Sequence, residues 1–248
     1  MFTFLGVGAQ KAGTTWLFRQ MEQHPSLGFP LGKEAHFWNM LHDRDRIDRY
    51  LERFSRDDRK EGEITPAYAI LPQAVIRTIA QCQPDLRLIY IIRNPIERAW
   101  SSALMAMRRA ELEIHEASDQ WFVDHFQSAG SLARGDYERC LRNWRAIFPS
   151  RQLLVLRYEH IGTAPERLLN DCFRHLGVDA VDPETLRLRG CRRRIFTGPR
   201  HPLRPAVMPL LSAIYRPRIH ALAAYLGEDL SDWLATSNSG WTGDANDV

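Results

Sequence analysis

The sequence predicts an α/β fold in three layers, with a central parallel sheet flanked by helices. Three runs nearly continuous in apolar residues, Phe2 to Val7, Leu86 to Ile92 and Leu153 to Tyr158, read as strands buried on both faces. Each is followed by residues at helical spacing, and the alternation of strand with helix is the pattern of βαβ units. Glycine, asparagine-proline or threonine stands at each strand-to-helix junction, where helix starts and tight turns need them.

In chain order, the opening strand ends in Gly6-Val7-Gly8, and Thr14 to Gln23 follows with Leu17, Phe18 and Met21 on one helical face. The strand at 86–92 runs into Arg93-Asn94-Pro95, where Asn94 can cap a helix and Pro95 can occupy its first position; that helix extends through Met107. Asp136 to Phe148 carries Tyr137, Cys140, Leu141, Trp144, Ile147 and Phe148 on one face. After the strand at 153–158, Thr163 and Glu166 are spaced as a capping box, and the helix buries Leu168, Leu169, Cys172, Phe173 and Leu176 before stopping at Gly177. One domain spanning 1–235 is expected, with 236–248, small and polar, as a flexible tail.

At 248 residues the chain can bury an adequate core without disulfide or metal support. Hydrophobic residues make up 44% and charged residues 25%, as in soluble globular proteins. The net charge of +3, from 33 basic and 30 acidic residues, is too mild to argue for nucleic acid as a partner. Arg192-Arg193-Arg194 is the one basic run, and a solvated face accounts for it. Cys82, Cys140, Cys172 and Cys191 are scattered, with no C-x-x-C pair, and read as small hydrophobes of a reduced, cytoplasmic protein. No stretch of about twenty apolar residues exists to span a membrane, and no signal sequence is recognised. The histidines do not cluster at metal spacing, so no metal is expected; Ser101 and Ser102 lack the G-x-S-x-G elbow of a hydrolase.

The junction Gly8 to Thr15 is an anion site. A short glycine-containing loop points successive N–H groups at one spot, the helix start adds positive potential, and Lys11 adds a full charge. It is P-loop-like but not a Walker loop. That motif sets lysine directly before the Ser/Thr that holds magnesium, whereas Lys11 precedes Gly13 by two places and Thr14-Thr15 follow. A sulfonate, with a single negative charge, needs less neutralisation than a γ-phosphate, and a metal-free site suits it. Arg93 leaves the second strand with a fork that can grip a phosphate, and Ser101, about two helical turns on, can add a hydroxyl donor. Arg98 is equally a solvated helical residue or a donor contact.

Gln10-Lys11-Ala12-Gly13-Thr14-Thr15-Trp16-Leu17 resembles the 5′-phosphosulfate loop of sulfotransferases that use 3′-phosphoadenosine 5′-phosphosulfate (PAPS), and Arg93-Asn94-Pro95-Ile96-Glu97-Arg98-Ala99-Trp100-Ser101-Ser102 resembles their 3′-phosphate motif. The two lie about eighty residues apart in the family's order. The resemblance implies donor contacts from Lys11, Ala12, Gly13, Thr14, Thr15 and Trp16, with Arg93 and Ser101 on the 3′-phosphate. Gly198-Pro199-Arg200-His201-Pro202 lies where the family closes a basic loop on the donor, which implies Arg200, or one of Arg192 to Arg194, as a further phosphate contact.

Lys33-Glu34-Ala35-His36-Phe37-Trp38 resembles the K-E-x-H-F-F segment of the branch that sulfates carbohydrates, including the heparan sulfate enzymes. There the matching glutamate takes the acceptor's proton, so Glu34 and Lys11 are the implied catalytic pair, with Lys33 and His36 beside the acceptor. A carboxylate suits that role once burial or neighbours raise its pKa. Gly62-Glu63-Ile64-Thr65-Pro66-Ala67-Tyr68 resembles E-K-[ST]-P-x-Y, placing Thr65 and Tyr68 near the acceptor, with a core position the alternative for Tyr68; Ile64 replaces the lysine common in the heparan enzymes, which argues against a highly anionic polysaccharide. Tyr137, Trp144 and the strand end at Tyr158-Glu159 read as packing, and 110–134, with Trp121, Phe122 and Phe126, as helix and loop over the acceptor cleft or equally as a packed helix.

The implied reaction is in-line transfer of a sulfuryl group from PAPS to a hydroxyl, less often an amine, of a glycan or small molecule, leaving 3′-phosphoadenosine 5′-phosphate (PAP). The alternatives are a P-loop nucleotide kinase, which the displaced lysine opposes, and a non-catalytic PAPS-binding module, which retention of Lys11 with Glu34 opposes. The dimer motif of cytosolic sulfotransferases is not present, and the oligomeric state stays open.

Overall fold

The computed structural model describes residues 2–40, 43–54, 58–193 and 201–235. Its five strands form one wholly parallel sheet in the order β2-β3-β1-β4-β5: β1 (Phe2–Gly8), β2 (Leu27–Gly28), β3 (Lys60–Ile64), β4 (Arg87–Ile92) and β5 (Leu153–Arg157). The three strands read from the sequence are β1, β4 and β5; β2 and β3 complete the sheet. The backbone clusters into two compact units, 1–93 with 141–196 and 94–140 with 197–248.

The first unit holds the sheet together with α1 (Thr14–Met21), α2 (Arg44–Leu51) and α3 (Gln73–Cys82). Leu88, Ile89, Tyr90, Ile91 and Ile92 of β4 are all at most 1% exposed, which is why this strand is apolar without alternation. Each such side chain contributes about 1.5–3 kcal/mol on burial. Gly6 pairs with Ile64 on one side and Ile89 on the other, and Ile92 pairs with Arg157. The strands therefore end together, and every strand-to-helix loop leaves from one edge.

The second unit is helical: α4 (Pro95–Arg109), α5 (Asp119–Gln127), α6 (Ala129–Arg134) and the start of α7 (Tyr137–Arg145). Asn94 caps α4 by accepting from the Ile96 amide at 3.0 Å, with Pro95 in first position as expected. Phe122 and Phe126 are completely buried, with Phe122 stacked on Trp100 at 4.8 Å. Within this unit they are packing residues.

Returning to the first unit, β5 is followed by α8 (His160–Thr163), α9 (Pro165–Leu176) and α10 (Pro183–Leu188). α9 packs on β4, β5 and α1, burying Leu168, Leu169, Cys172, Phe173 and Leu176, and ends at Gly177 with φ 71°, a left-handed stop that favours glycine. The expected capping box at its start does not form. Pro165 occupies the first position, the Thr163 hydroxyl donates to the Glu159 carbonyl at 3.1 Å and so closes α8, and Glu166 turns to arginines. The second unit ends with α11 (Met208–Leu226) and α12 (Ser231–Ala235), where Trp233 accepts from Asn94 through its carbonyl at 3.1 Å. Among the described residues no helix is long and apolar enough to cross a membrane. Cys140, Cys172 and Cys191 are buried thiols, and the expected tail at 236–248 lies outside the described residues.

Glu166 accepts from Arg192 Nε at 2.7 Å and Nη2 at 3.2 Å, and from Arg187 Nε at 3.0 Å. These bonds, Arg192's foremost, hold its carboxyl down from its ordinary 4.5 to about 2. A depressed carboxylate contributes stability fully above its unfolded pKa and loses it as pH falls through the folded one. Acid unfolding followed by circular dichroism should therefore separate Glu166→Gln from the parent protein above pH 4.5, with the difference closing as pH drops towards about 2. Superimposable curves at neutral pH would leave these bonds without a part in stability.

Candidate active site

The carboxyl edge of the sheet in the first unit gathers most of the residues singled out from the sequence. From β1 the chain passes through Ala9, whose amide bonds the Ile91 carbonyl at 2.9 Å, and Lys11, at φ 68°, into Gly13, at φ 82°. Gly13 is the N-cap of α1 and contributes no side-chain cap. The first-turn amides of α1 are left without intrahelical acceptors, the arrangement that binds anions. Glycine is favoured there by its left-handed φ, and a Cβ would meet Ile161 Cδ1 and stand 3.2 Å from the Tyr158 ring. Ala12 and Thr14 are buried, Lys11 is partly buried, and Thr15 is exposed. Trp16 is buried and donates its indole N–H to the Cys191 carbonyl at 2.9 Å, so it anchors the loop.

Arg93 joins the second motif to this loop. Its Nη1 donates to the Lys11 carbonyl at 3.0 Å, and its guanidinium lies 4.4 Å from the centre of the Tyr158 ring. The sheet register causes both contacts. Ile92 and Arg157 are partners, the Tyr158 amide bonds the Ile92 carbonyl at 2.8 Å, and the next residue of each strand then stands beside the other. A cation over a tyrosine face contributes about 0.5–2 kcal/mol. Tyr158, expected only to pack, orients the arginine.

Ser101 is partly buried on α4 and belongs to the second unit. Arg98 is neither solvated nor open to a ligand: it is 0% exposed and donates to the Ser131 carbonyl at 3.2 Å and Tyr215 Oη at 3.3 Å, inside that unit. Arg200 and Arg194 lie outside the described residues, and Arg192 is engaged by Glu166.

The Glu34 segment meets the end of β3. The Glu34 amide donates to the Ile64 carbonyl at 3.1 Å. Its carboxylate pairs with Lys33 through Oε1 and with His36 Nε2 through Oε2 at 3.4 Å, and 38% of the side chain is exposed. Of the two settings expected to suit a base, burial or neighbours, the structure gives Glu34 neighbours, Lys33 and His36. Thr65, expected on the acceptor side, and Tyr68, read as acceptor-side or core, are both 0% exposed. Their hydroxyls donate to Glu63 at 2.7 and 3.0 Å, because a carboxylate buried beneath them needs donors. Ile64, in the place of a lysine, is also completely buried, against Gly6. Among the described residues no group of three or more His, Cys, Asp or Glu side chains is arranged to hold a metal ion.

A family profile described as the sulfotransferase domain matches residues 3–190. The chain belongs to the sulfotransferase family. It is an enzyme of that family, similar at 27% identity to the mouse heparan sulfate glucosamine 3-O-sulfotransferase 6, over 90% of this chain and 71% of that protein. It is 28% identical to the human heparan sulfate glucosamine 3-O-sulfotransferase 3B1, over 71% of this chain but only 46% of that protein, so it spans about half the length of the human relative. In fold it matches a sulfotransferase from Alicyclobacillus acidocaldarius with a TM-score of 0.71 at 24% identity, covering 94% of this chain and 99% of that one. It also matches the mouse sulfotransferase SULT7A1, whose crystal structure is a complex with PAP, at a TM-score of 0.61 and 17% identity, covering 95% and 89% of the two chains. The sulfotransferase fold is thus the P-loop-like parallel sheet expected from the sequence.

Two residues of this sulfotransferase edge were not singled out from the sequence. Glu63 lies in a strand whose polar sequence, Lys-Glu-Gly-Glu-Ile, gives no sign of its burial, and its partner Tyr50 stands 13 positions away with no local signal. Gly13→Ala should lower stability by roughly 1–3 kcal/mol, the cost of a left-handed non-glycine residue, and should weaken anion binding at the loop. Thermal melts with and without PAP check it: an unchanged melting temperature and an unchanged PAP-induced shift would contradict the tight fit at Ile161.

Proposed function

We propose that the chain transfers a sulfuryl group from PAPS to a hydroxyl of a glycan or small-molecule acceptor, leaving PAP. One observation carries this: Arg93 donates to the carbonyl of Lys11, so two phosphate-type motifs about eighty residues apart share one strand-end edge of the first unit. The first-turn amides from Gly13 to Trp16 and the Lys11 ammonium suit the 5′-phosphosulfate, and the Arg93 fork suits the 3′-phosphate that separates PAPS from ATP. Ser101's share in that phosphate rests on its motif alone.

In the reaction, Glu34 takes the acceptor's O–H proton as the oxygen attacks sulfur. The new S–O bond forms in line with the breaking bond to the 5′-phosphate, and PAP departs with that bond's electron pair. The loop amides and Lys11 stabilise charge growing on the bridging and equatorial oxygens. Heparan sulfate relatives and the matching Glu34 segment favour a glycan; the apolar, buried Ile64 favours one of modest charge or a small molecule.

Calorimetry separates the donor from its rivals. PAP should bind at least about tenfold more tightly than ATP with magnesium, a difference of about 1.4 kcal/mol; the reverse order would make the protein a phosphotransferase. With PAPS and an acceptor panel of glycans and phenols, Lys11→Ala should lower turnover about 10²–10³-fold and weaken PAP binding. Glu34→Gln should lower turnover about 10²–10⁴-fold and leave PAP binding unchanged. Near-normal turnover of Glu34→Gln would remove it as the base, and tight PAP binding with no transfer to any acceptor would point to a binding module.

A further inference from the structure

We infer that Glu63, buried beneath the proposed active site, is the positioning residue that sets the backbone and hence the aim of Glu34. The inference rests on Glu34 being the base. Glu63 is 0% exposed and accepts four hydrogen bonds: from Tyr50 Oη at 2.5 Å, Tyr68 Oη at 3.0 Å, Thr65 Oγ1 at 2.7 Å and the backbone amide of Ala35 at 3.2 Å. A carboxylate buried among neutral groups is tolerated only when its lone pairs are filled this fully. The donors come from α2, from the turn after β3 twice, and from the Glu34 segment.

The last of these donors gives Glu63 its reach. The segment from Glu34 to Trp38 is held to the sheet through three backbone amides. Glu34 donates to the Ile64 carbonyl at 3.1 Å, Ala35 to Glu63 Oε2 at 3.2 Å, and Trp38 to Tyr68 Oη at 3.3 Å. Two of the three depend on Glu63, one directly and one through the Tyr68 hydroxyl, which passes its own hydrogen to Glu63. Glu34 and His36 both hold positive φ, 63° and 56°, a conformation that costs a non-glycine residue about 1–3 kcal/mol and persists only when its surroundings enforce it. Glu63 is the group that enforces it. The aromatic packing around Tyr50, stacked with Phe37 at 4.1 Å and edge-on to Trp38 at 5.4 Å, excludes water from these bonds. Burial, and then the nearby Glu63 charge, push the Tyr50 and Tyr68 hydroxyls well above their usual range, so both stay protonated as donors.

Glu63→Gln keeps the shape but halves the oxygen acceptors. Amide hydrogen exchange on the full chain should show at least about tenfold faster exchange across 34–38 in this variant, with the loop at 10–17 unchanged; unchanged exchange at 34–38 would overturn the inference. Turnover of PAPS to PAP with the best acceptor of the panel should fall about 10–100-fold in kcat while PAP affinity stays within about twofold. Added to Glu34→Gln, the same substitution should change kcat by less than about twofold, since Glu63 acts only through Glu34. A full loss in that background, or an equal loss of PAP binding, would mean a general structural role. Normal kcat in Glu63→Gln beside an inactive Glu34→Gln would overturn the positioning alone, whereas an active Glu34→Gln would overturn the base and the inference with it. Where Glu63→Gln does not fold, Tyr68→Phe, which removes the relay to the Trp38 amide, carries the same exchange and kinetic tests.

Discussion

The parallel register of β1 with β3 and β4 is the constraint on which the site depends. Gly6 lies between Ile64 and Ile89, and from that row the three strands finish together. The next residues then bridge neighbouring strands: Thr65 donates to the Gly6 carbonyl at 2.9 Å, Ala9 to Ile91 at 2.9 Å and Tyr158 to Ile92 at 2.8 Å. A slip of one residue would turn every side chain of a strand to the opposite face. It would carry Glu63 away from Tyr50 and Arg93 away from Tyr158.

Close approach secures the register. A Cβ on Gly8 would stand 2.5 Å from the Tyr90 ring, and one on Gly6 would stand 2.8 Å from Ile64, so both glycines let neighbouring side chains fold over the strand. The completely buried apolar residues of β4, at about 1.5–3 kcal/mol each, far outweigh the cost of the left-handed conformation at Lys11. The loop at 8–15 can therefore stay conformationally costly while the sheet beneath it holds.

Strands β1, β4 and β5 and the strand-loop-helix at 8–15 were legible in the sequence because they have short-range signatures: unbroken apolar runs, a glycine at a helix start, an Asn-Pro pair. Helix starts governed by distant partners were not. The spacing of Thr163 and Glu166 fits a capping box, but Pro165 takes the first helical position and Glu166 serves Arg192, 26 residues on. Arg98 has the helical spacing of a solvated residue, yet Tyr215, 117 positions away, and Ser131 enclose it. The motif of Thr65 and Tyr68 suggests acceptor-side residues, and nothing local reveals that Glu63, two and five positions before them, claims both hydroxyls.

Glu63, within β3, and Glu34, whose amide bonds the last residue of β3, show how environment divides like groups. Glu34 keeps 38% of its side chain exposed beside Lys33 and His36, the access that the proposed base requires. Glu63 is sealed, with four donors filling its oxygens, and a group so bound has neither access to an acceptor nor room to move. Charge-assisted hydrogen bonds of this kind contribute about 1.5–3 kcal/mol each, enough to hold Glu34 and His36 in backbone conformations they would not adopt alone. A base such as the one proposed at Glu34, carried on an exposed loop, would ordinarily aim poorly. Here the loop is short, its amides are tied to the sheet, and the tie is itself a carboxylate that only a correctly registered β3 can present.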